Sequence, residues 1–214
     1  LFKNNYGIFK NIVNFCIKKK AKLIHLSSTS VYSLKSELVD EKLEQLAPQS
    51  PYAEEKVLEE KYLNKNKKKI KFITLRLGTI TGVSKGMRFH TAVNKFCFNA
   101  IINSPITVWE TAIDQFRPYL SIDDAFSSLK YVIEKKYFDN KIHNILSNNF
   151  TVRQILSFIK KFKKKINIKY TKSKIMNQLS YKVVNQTGLL KKIKLKKEIK
   201  SDIKNIFFAF KKIF

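Results

Sequence analysis

Apolar residues recur at Ile8, Ile12, Phe15 and Cys16 with lysines between them, which predicts a helix over 6–20. The run 22–26 (KLIHL) is short and apolar and empties into Ser27-Ser28-Thr29-Ser30, the pattern of a buried strand opening into a loop. Residues 33–51 are polar and punctuated by Pro48 and Pro51, so an irregular stretch is expected. Helix formers crowd 52–64, and 69–77 (KIKFITLRL) alternates like a strand before Gly78, Gly82 and Gly86 break the chain into a loop. A helix over 91–102, a short strand over 106–109 and an amphipathic helix over 122–133 follow. Ser121 introduces the last of these, and Asp123 and Asp124 suit the dipole of its first turn. A strand is predicted at 144–146 and a helix over 151–162 capped by Thr151. Ile199, Ile203, Ile206, Phe207 and Phe210 share one face of a closing helix with a lysine back. There is no internal repeat. Strands alternating with helices predict an α/β fold with a mostly parallel sheet.

Composition changes this picture in one respect. The 214 residues carry a net charge of +27, almost all of it lysine: 39 Lys against 4 Arg (Arg76, Arg88, Arg117, Arg153). Readers of nucleic acid lean on arginine, whose planar fork matches phosphates and guanine edges. Lys, Ile, Asn and Phe, which A/T-rich codons encode, are enriched, while Gly, Pro, Ala and Arg are scarce. A biased genome accounts for the lysine, and no nucleic-acid partner is expected. Residues 1–150 carry +10 and residues 151–214 carry +17, so the final 64 residues are a distinct basic section. No apolar run reaches the length of a membrane span. Two cysteines, Cys16 and Cys97, exclude a disulfide scaffold and suggest a reducing, cytoplasmic compartment. The first residue is Leu, which suggests the interior of a longer protein.

Three pieces could carry chemistry. The hydroxyl run 27–30 follows a strand, and in an α/β sheet the carboxyl ends of strands face the ligand crevice. Tyr52 and Lys56 form a YxxxK at the start of a helix, a spacing that sets them one turn apart on one face. A phenol is a poor base near neutral pH, but a neighbouring cation favours the phenolate and suits it to exchange protons with a sugar or alcohol hydroxyl. A second YxxxK at Tyr131 and Lys135 follows no hydroxyl-rich strand end and reads as chance. The third piece, 75–82 (LRLGTITG), is a strand running into a glycine loop that would wall the same crevice.

In order and spacing, LIHLSSTSVYS (23–33), SPYAEEK (50–56), LRLGTITG (75–82), PITVWE (105–110) and FRPYLSIDDA (116–125) resemble the extended short-chain dehydrogenase/reductases, the NAD-dependent epimerase/dehydratase family that modifies nucleotide sugars. Asn4 and Gly7 resemble that family's helix before the serine strand. The resemblance implies a Rossmann-like parallel sheet with a small α/β substrate-binding subdomain. Residues 1–150 would be a partial Rossmann-like domain with interleaved substrate-binding segments, and 151–214 a basic C-terminal part of the substrate subdomain. It implies Ser28 as catalytic hydroxyl with Thr29 as fallback, Tyr52 as acid/base, and Lys56 as the cation that assists Tyr52 and holds the nicotinamide ribose. Gly78 would line the nicotinamide pocket. Thr79, Arg88, Asn94 and Arg117 would bind substrate, Arg117 at the nucleotide-sugar diphosphate, and His90 falls in the same region. The implied cofactor is NAD, with NADP not excluded; no metal is implied. A homodimer through the helices near Tyr52 is common in the family.

Some residues depart from the family pattern. Ser33 stands where glycine is usual, Glu54-Glu55 replace smaller residues, and Glu110-Thr111-Ala112 replace a glycine-containing turn. Thr29-Ser30 stand where 4,6-dehydratases carry Asp-Glu, which argues against that branch and leaves epimerase, decarboxylase or ketoreductase. None of the five glycines forms a GxxGxxG turn after a first strand. The first βαβαβ half is therefore expected to be absent, and the chain to be a C-terminal fragment that by itself is inactive, binds NAD poorly and folds marginally. The rival classes are a catalytically inactive relative, or a basic binder of nucleic acid or a membrane surface using 191–197 and the amphipathic tail.

Overall fold

The structure is a computed structural model that describes residues 2–32, 38–43, 46–172, 180–184, 188–196 and 198–211. Ser33, Lys197 and the tail beyond 211 lie outside the described residues.

Helix α1 (Phe2–Lys19) leads into strand β1 (Leu23–Ser28), a single 3-10 turn (Thr29–Val31) and a two-residue strand β2 (Leu38–Val39). Then come α2 (Pro51–Lys65), β3 (Phe72–Leu77), β4 (Thr79–Thr81), α3 (Ala92–Ile101), β5 (Ile106–Trp109), β6 (Phe116–Ser121) and α4 (Ile122–Glu134). The chain closes with β7 (Ile142–Ile145), β8 (Asn148–Thr151), α5 (Val152–Lys160), β9 (Ile168–Thr171), β10 (Lys182–Val183) and α6 (Ile199–Lys211). The principal sheet is parallel in the order β1-β3-β7, with α2 crossing over from β1 to β3. Its central strand β3 is buried along nearly its whole length because both its faces are covered, Thr74 and Arg76 included. A second sheet pairs β4 parallel to β6 and β6 antiparallel to β8.

All the helices that the apolar pattern predicts are present, with ends moved by a few residues. At α1 the pattern misleads about direction. Ile8, Ile12 and Phe15 are exposed, whereas Phe9, Val13 and Cys16 pack inward with Leu63, Ile70 and Phe72. The helix is apolar on two faces, and the more regular stripe points outward. Most of the strands that local pattern does not predict are short. The loop expected at 78–86 contains β4, three residues that pair with β6 directly after Gly78. Strands β2, β8, β9 and β10 are likewise brief, and they and the six-residue β6 take their pairing from other segments, which local periodicity does not register.

The apolar interior has two large clusters. One lies about the principal sheet and includes Val31, Ile73, Leu75, Leu120 and Ile145. The other joins Val93, Phe96, Cys97 and Ile106 to Ile155, Ile159, Ile199, Ile203 and Ile206. Residues from before and after position 150 therefore share one cluster. The inward face expected of α6 is buried in it, and α5 carries the expected Thr151 cap, completed by Gln154 into a reciprocal capping box. No helix among the described residues is long and apolar enough to cross a membrane.

Candidate active site

The site forms where β1 and β3 end side by side, Ser28 opposite Leu77. Ser28 also caps the short 3-10 turn: its Oγ accepts from the Ser30 N–H at 3.2 Å and the Ser30 hydroxyl at 2.9 Å. The Thr29 hydroxyl donates to the Leu77 carbonyl at 3.3 Å and so ties the turn to β3. Helix α2 starts beside this point for reasons written in its sequence. Ser50 accepts from the Ala53 N–H at 3.2 Å, and Pro51 opens the first turn. That start puts Tyr52 in the first turn, 53% exposed, and Lys56 one turn on, with its ammonium 5.8 Å from the Tyr52 ring centroid.

Ser28, Tyr52, Lys56, Gly78, Thr79, Arg88 and Asn94 all line one cleft of about 780 Å³, together with His90. Arg117 does not line it. It lies between two adjoining hollows of about 290 Å³ each, one bordered also by Ser28, Gly78 and Thr79, the other by His90, Lys95 and Trp109. Its guanidinium lies over the Tyr181 ring at 5.4 Å, and its buried Nη1 finds no hydrogen-bond partner among the described residues. Burial lowers the Arg117 pKa, and neighbouring Tyr181 and Tyr119 only partly oppose this. An anion at Arg117 would relieve the desolvation that this position imposes. Burial also drives the Tyr119 phenol up to about 12, despite the opposing charge of Arg117.

Two of these wall residues also hold the site's shape. The Asn94 side chain accepts from the Thr81 hydroxyl and the Gly82 N–H, each at 3.2 Å, and donates to the Arg88 carbonyl at 3.1 Å, stapling the glycine loop to α3. A side chain on Gly78 would come within 3.1 Å of the Pro118 carbonyl, so glycine lets β3 run close to β6 there. Gly82 has φ +121°, and a Cβ there would press to 2.6 Å of Ile122.

Behind the cleft lies a buried polar network that the motif reading passes over. Glu60 on α2 accepts from the Ser27 hydroxyl at 2.6 Å and from Arg76 Nε at 2.9 Å, and a second Arg76 nitrogen meets its other oxygen. Arg76 also donates to the Tyr32 hydroxyl at 2.7 Å. Glu59, next to Glu60, faces both Lys56 and His25. The signal for both glutamates is their spacing three and four residues after Lys56, which returns them to its side of the helix.

The residues present suit the nicotinamide-ribose end of a dinucleotide: a phenol, an ammonium and a serine hydroxyl border one cleft beside a close-packed glycine. No glycine-rich phosphate-binding turn accompanies them in this sequence. A family model described as the NAD dependent epimerase/dehydratase family matches residues 1–145. The ADP-L-glycero-D-manno-heptose-6-epimerase of Brachyspira hyodysenteriae is 27% identical over 176 residues, covering 79% of this chain and 55% of that protein. The chain thus spans about half the length of that curated relative. Among solved structures, UDP-glucuronic acid 4-epimerase from Bacillus cereus, in complex with UDP-glucuronic acid and NAD, matches with a TM-score of 0.84 at 22% identity, over 98% of this chain and 68% of that one. ADP-L-glycero-D-manno-heptose-6-epimerase from Helicobacter pylori matches with a TM-score of 0.80 at 20% identity, over 99% and 67%. Likeness at these identities establishes the fold: α/β, with a Rossmann-like parallel sheet.

Proposed function

The chain belongs to the NAD dependent epimerase/dehydratase family, and we propose on that premise that it supplies the catalytic and substrate-binding half of an NAD(P)-dependent enzyme acting on a nucleotide sugar. The observation that carries this reading is that Ser28, Tyr52 and Lys56, far apart in sequence, border one cleft at the carboxyl ends of two parallel strands.

Held by Tyr52, Lys56 and Gly78, bound NAD would supply the acceptor for a hydride from a sugar carbon. The chain's own residues handle the proton and the geometry. Tyr52 takes the proton of the hydroxyl on that carbon, which leaves a keto-sugar. The Ser28 hydroxyl donates to the sugar oxygen as it becomes a carbonyl, and Lys56 holds the ribose and supports the phenolate. Gly78 lines the nicotinamide side. Thr79, Arg88 and Asn94 wall the sugar, and Arg117 receives the diphosphate with its unpartnered nitrogen. Epimerisation and decarboxylation share this first step; ketoreduction runs it in reverse, with Tyr52 giving the proton to the new hydroxyl.

In this reading residues 1–150 contribute the sheet and catalytic residues, while 151–214 complete the substrate side. A homodimer forms through α1 and α2, supported by the exposed stripe Ile8, Ile12 and Phe15. A cytoplasmic location agrees with two buried free cysteines. The test is Tyr52→Phe in the full-length protein. Turnover of the nucleotide sugar should fall by about 10²–10⁴-fold while NAD binding persists in calorimetry. An unchanged rate would remove Tyr52 from the mechanism.

A further inference from the structure

The ammonium of Lys56 already has one partner: Nζ donates to Glu59 Oε2 at 2.7 Å. Glu59 is buried, and the same Oε2 lies 2.9 Å from His25 Nε2. His25, on β1, is fixed in turn. Its Nδ1 is 3.2 Å from the Thr74 hydroxyl on β3, and Phe9 of α1 packs on its ring at 4.9 Å between centroids. A line of side chains thus runs from inside the sheet to the cleft: Thr74, His25, Glu59, Lys56. Burial alone would raise the Glu59 carboxyl, but hydrogen bonds from His25 and Lys56 outweigh it and hold the group below the usual carboxylate range. Glu59 is therefore an anion, fixed from behind. Glu60 cannot take its place, because both its oxygens are engaged by Arg76.

Lysine carries its charge on a flexible four-carbon stem, so an unanchored ammonium spreads over several rotamers. Anchored, it keeps two of its three donors for other partners. We infer that Glu59, braced by His25, is a positioning residue that holds the Lys56 ammonium where it can bind the ribose of the dinucleotide. This rests on the reading of Lys56 given above. A simple i, i+3 surface pair would not do the same work, since exposed pairs are mobile and weak. Here the carboxylate side chain is only 5% exposed and has a second, buried partner.

The test is NAD affinity, measured by calorimetry on the full-length protein and on Glu59→Gln, Lys56→Met and the double variant, with melting temperature followed in parallel. Glu59→Gln should weaken NAD about tenfold, the scale of a hydrogen bond to a charged group. It should weaken NAD no further once Lys56 is methionine, and Glu59→Asp should restore part of the loss. Wild-type affinity in Glu59→Gln, with Lys56→Met weakened, overturns the role of Glu59 alone. An equal loss in both backgrounds makes Glu59 structural and also overturns it. Wild-type affinity in Lys56→Met overturns the reading of Lys56 itself. If Glu59→Gln does not fold, His25→Asn takes its part: weaker NAD only in the presence of Lys56 supports the inference, and unchanged affinity overturns it.

Discussion

The two sides of the molecule hold their helices in opposite ways. Helix α2 meets the sheet through Glu59 and Glu60, which reach His25, Ser27 and Arg76 across the interface. Helices α3, α5 and α6 meet over Val93, Phe96, Ile155, Ile159, Ile199, Ile203 and Ile206, with few polar groups among them. Apolar packing fixes where an element sits but has no preferred direction beyond shape. Hydrogen-bonded ion pairs fix direction, at the cost of desolvating charges. The directional interface lies under Tyr52 and Lys56, where the proposed chemistry needs aimed groups. The apolar interface lies under the proposed substrate side, where walls need only stay in place.

The largest expected effect breaks the polar side. Glu60→Ala leaves Arg76 buried without its carboxylate and should cost about 3–5 kcal/mol in urea denaturation. A cost near zero would mean that α2 is held by something else. On the apolar side, Ile203→Ala should cost about 3 kcal/mol through lost burial and a residual cavity. It should leave NAD affinity unchanged, because Ile203 is remote from the polar network.

Asp202 is the misplaced charge on that apolar side. It is buried on α6 near Cys97, accepts from the Ser121 hydroxyl at 3.1 Å, and has one oxygen without a partner among the described residues. Burial, with the charges of Asp123 and Asp124 adding to it, raises its pKa to about 7 against the opposing bond from Ser121. The folded protein therefore keeps a proton that the unfolded chain, with its ordinary value of 3.8, has released. Stability contributed here falls as pH rises between those values and levels off above the higher one. The drop from about pH 5 to about pH 7 should be roughly 2 kcal/mol. Asp202→Asn should flatten the profile; an unchanged slope would assign the pH dependence elsewhere. The smallest effect is at the α5 cap, where Thr151→Ala should cost about 1 kcal/mol in the same denaturation experiment.

Much of this was legible in the chain. Helices α3, α4, α5 and α6 follow from their local sequence and α2 from its helix formers, whereas the Ser50 cap and Pro51 that start α2 read as the end of an irregular stretch. The shared cleft of Ser28, Tyr52 and Lys56 follows from their motifs, because strand ends and helix starts point the same way in such a sheet. The polar underside of α2 was legible only as the spacing of Glu59 and Glu60 from Lys56, which does not say that this side is buried. Glutamates on a helix ordinarily face water, and only the placement of His25, Ser27 and Arg76 on neighbouring strands turns them inward. The outward turn of Ile8, Ile12 and Phe15 was equally hidden, since a helix with two apolar faces does not say which one packs. Arg117 was found by motif, but its position between two adjoining hollows depends on the long-range pairing of β6 with β8.

The most direct test of the central claim is a crystal structure of the full-length protein with NAD. The nicotinamide ribose should lie within hydrogen-bonding distance of Lys56, the Tyr52 hydroxyl should face the nicotinamide, and Lys56 should still be joined to Glu59. A dinucleotide bound away from the Ser28–Tyr52–Lys56 cleft would contradict it.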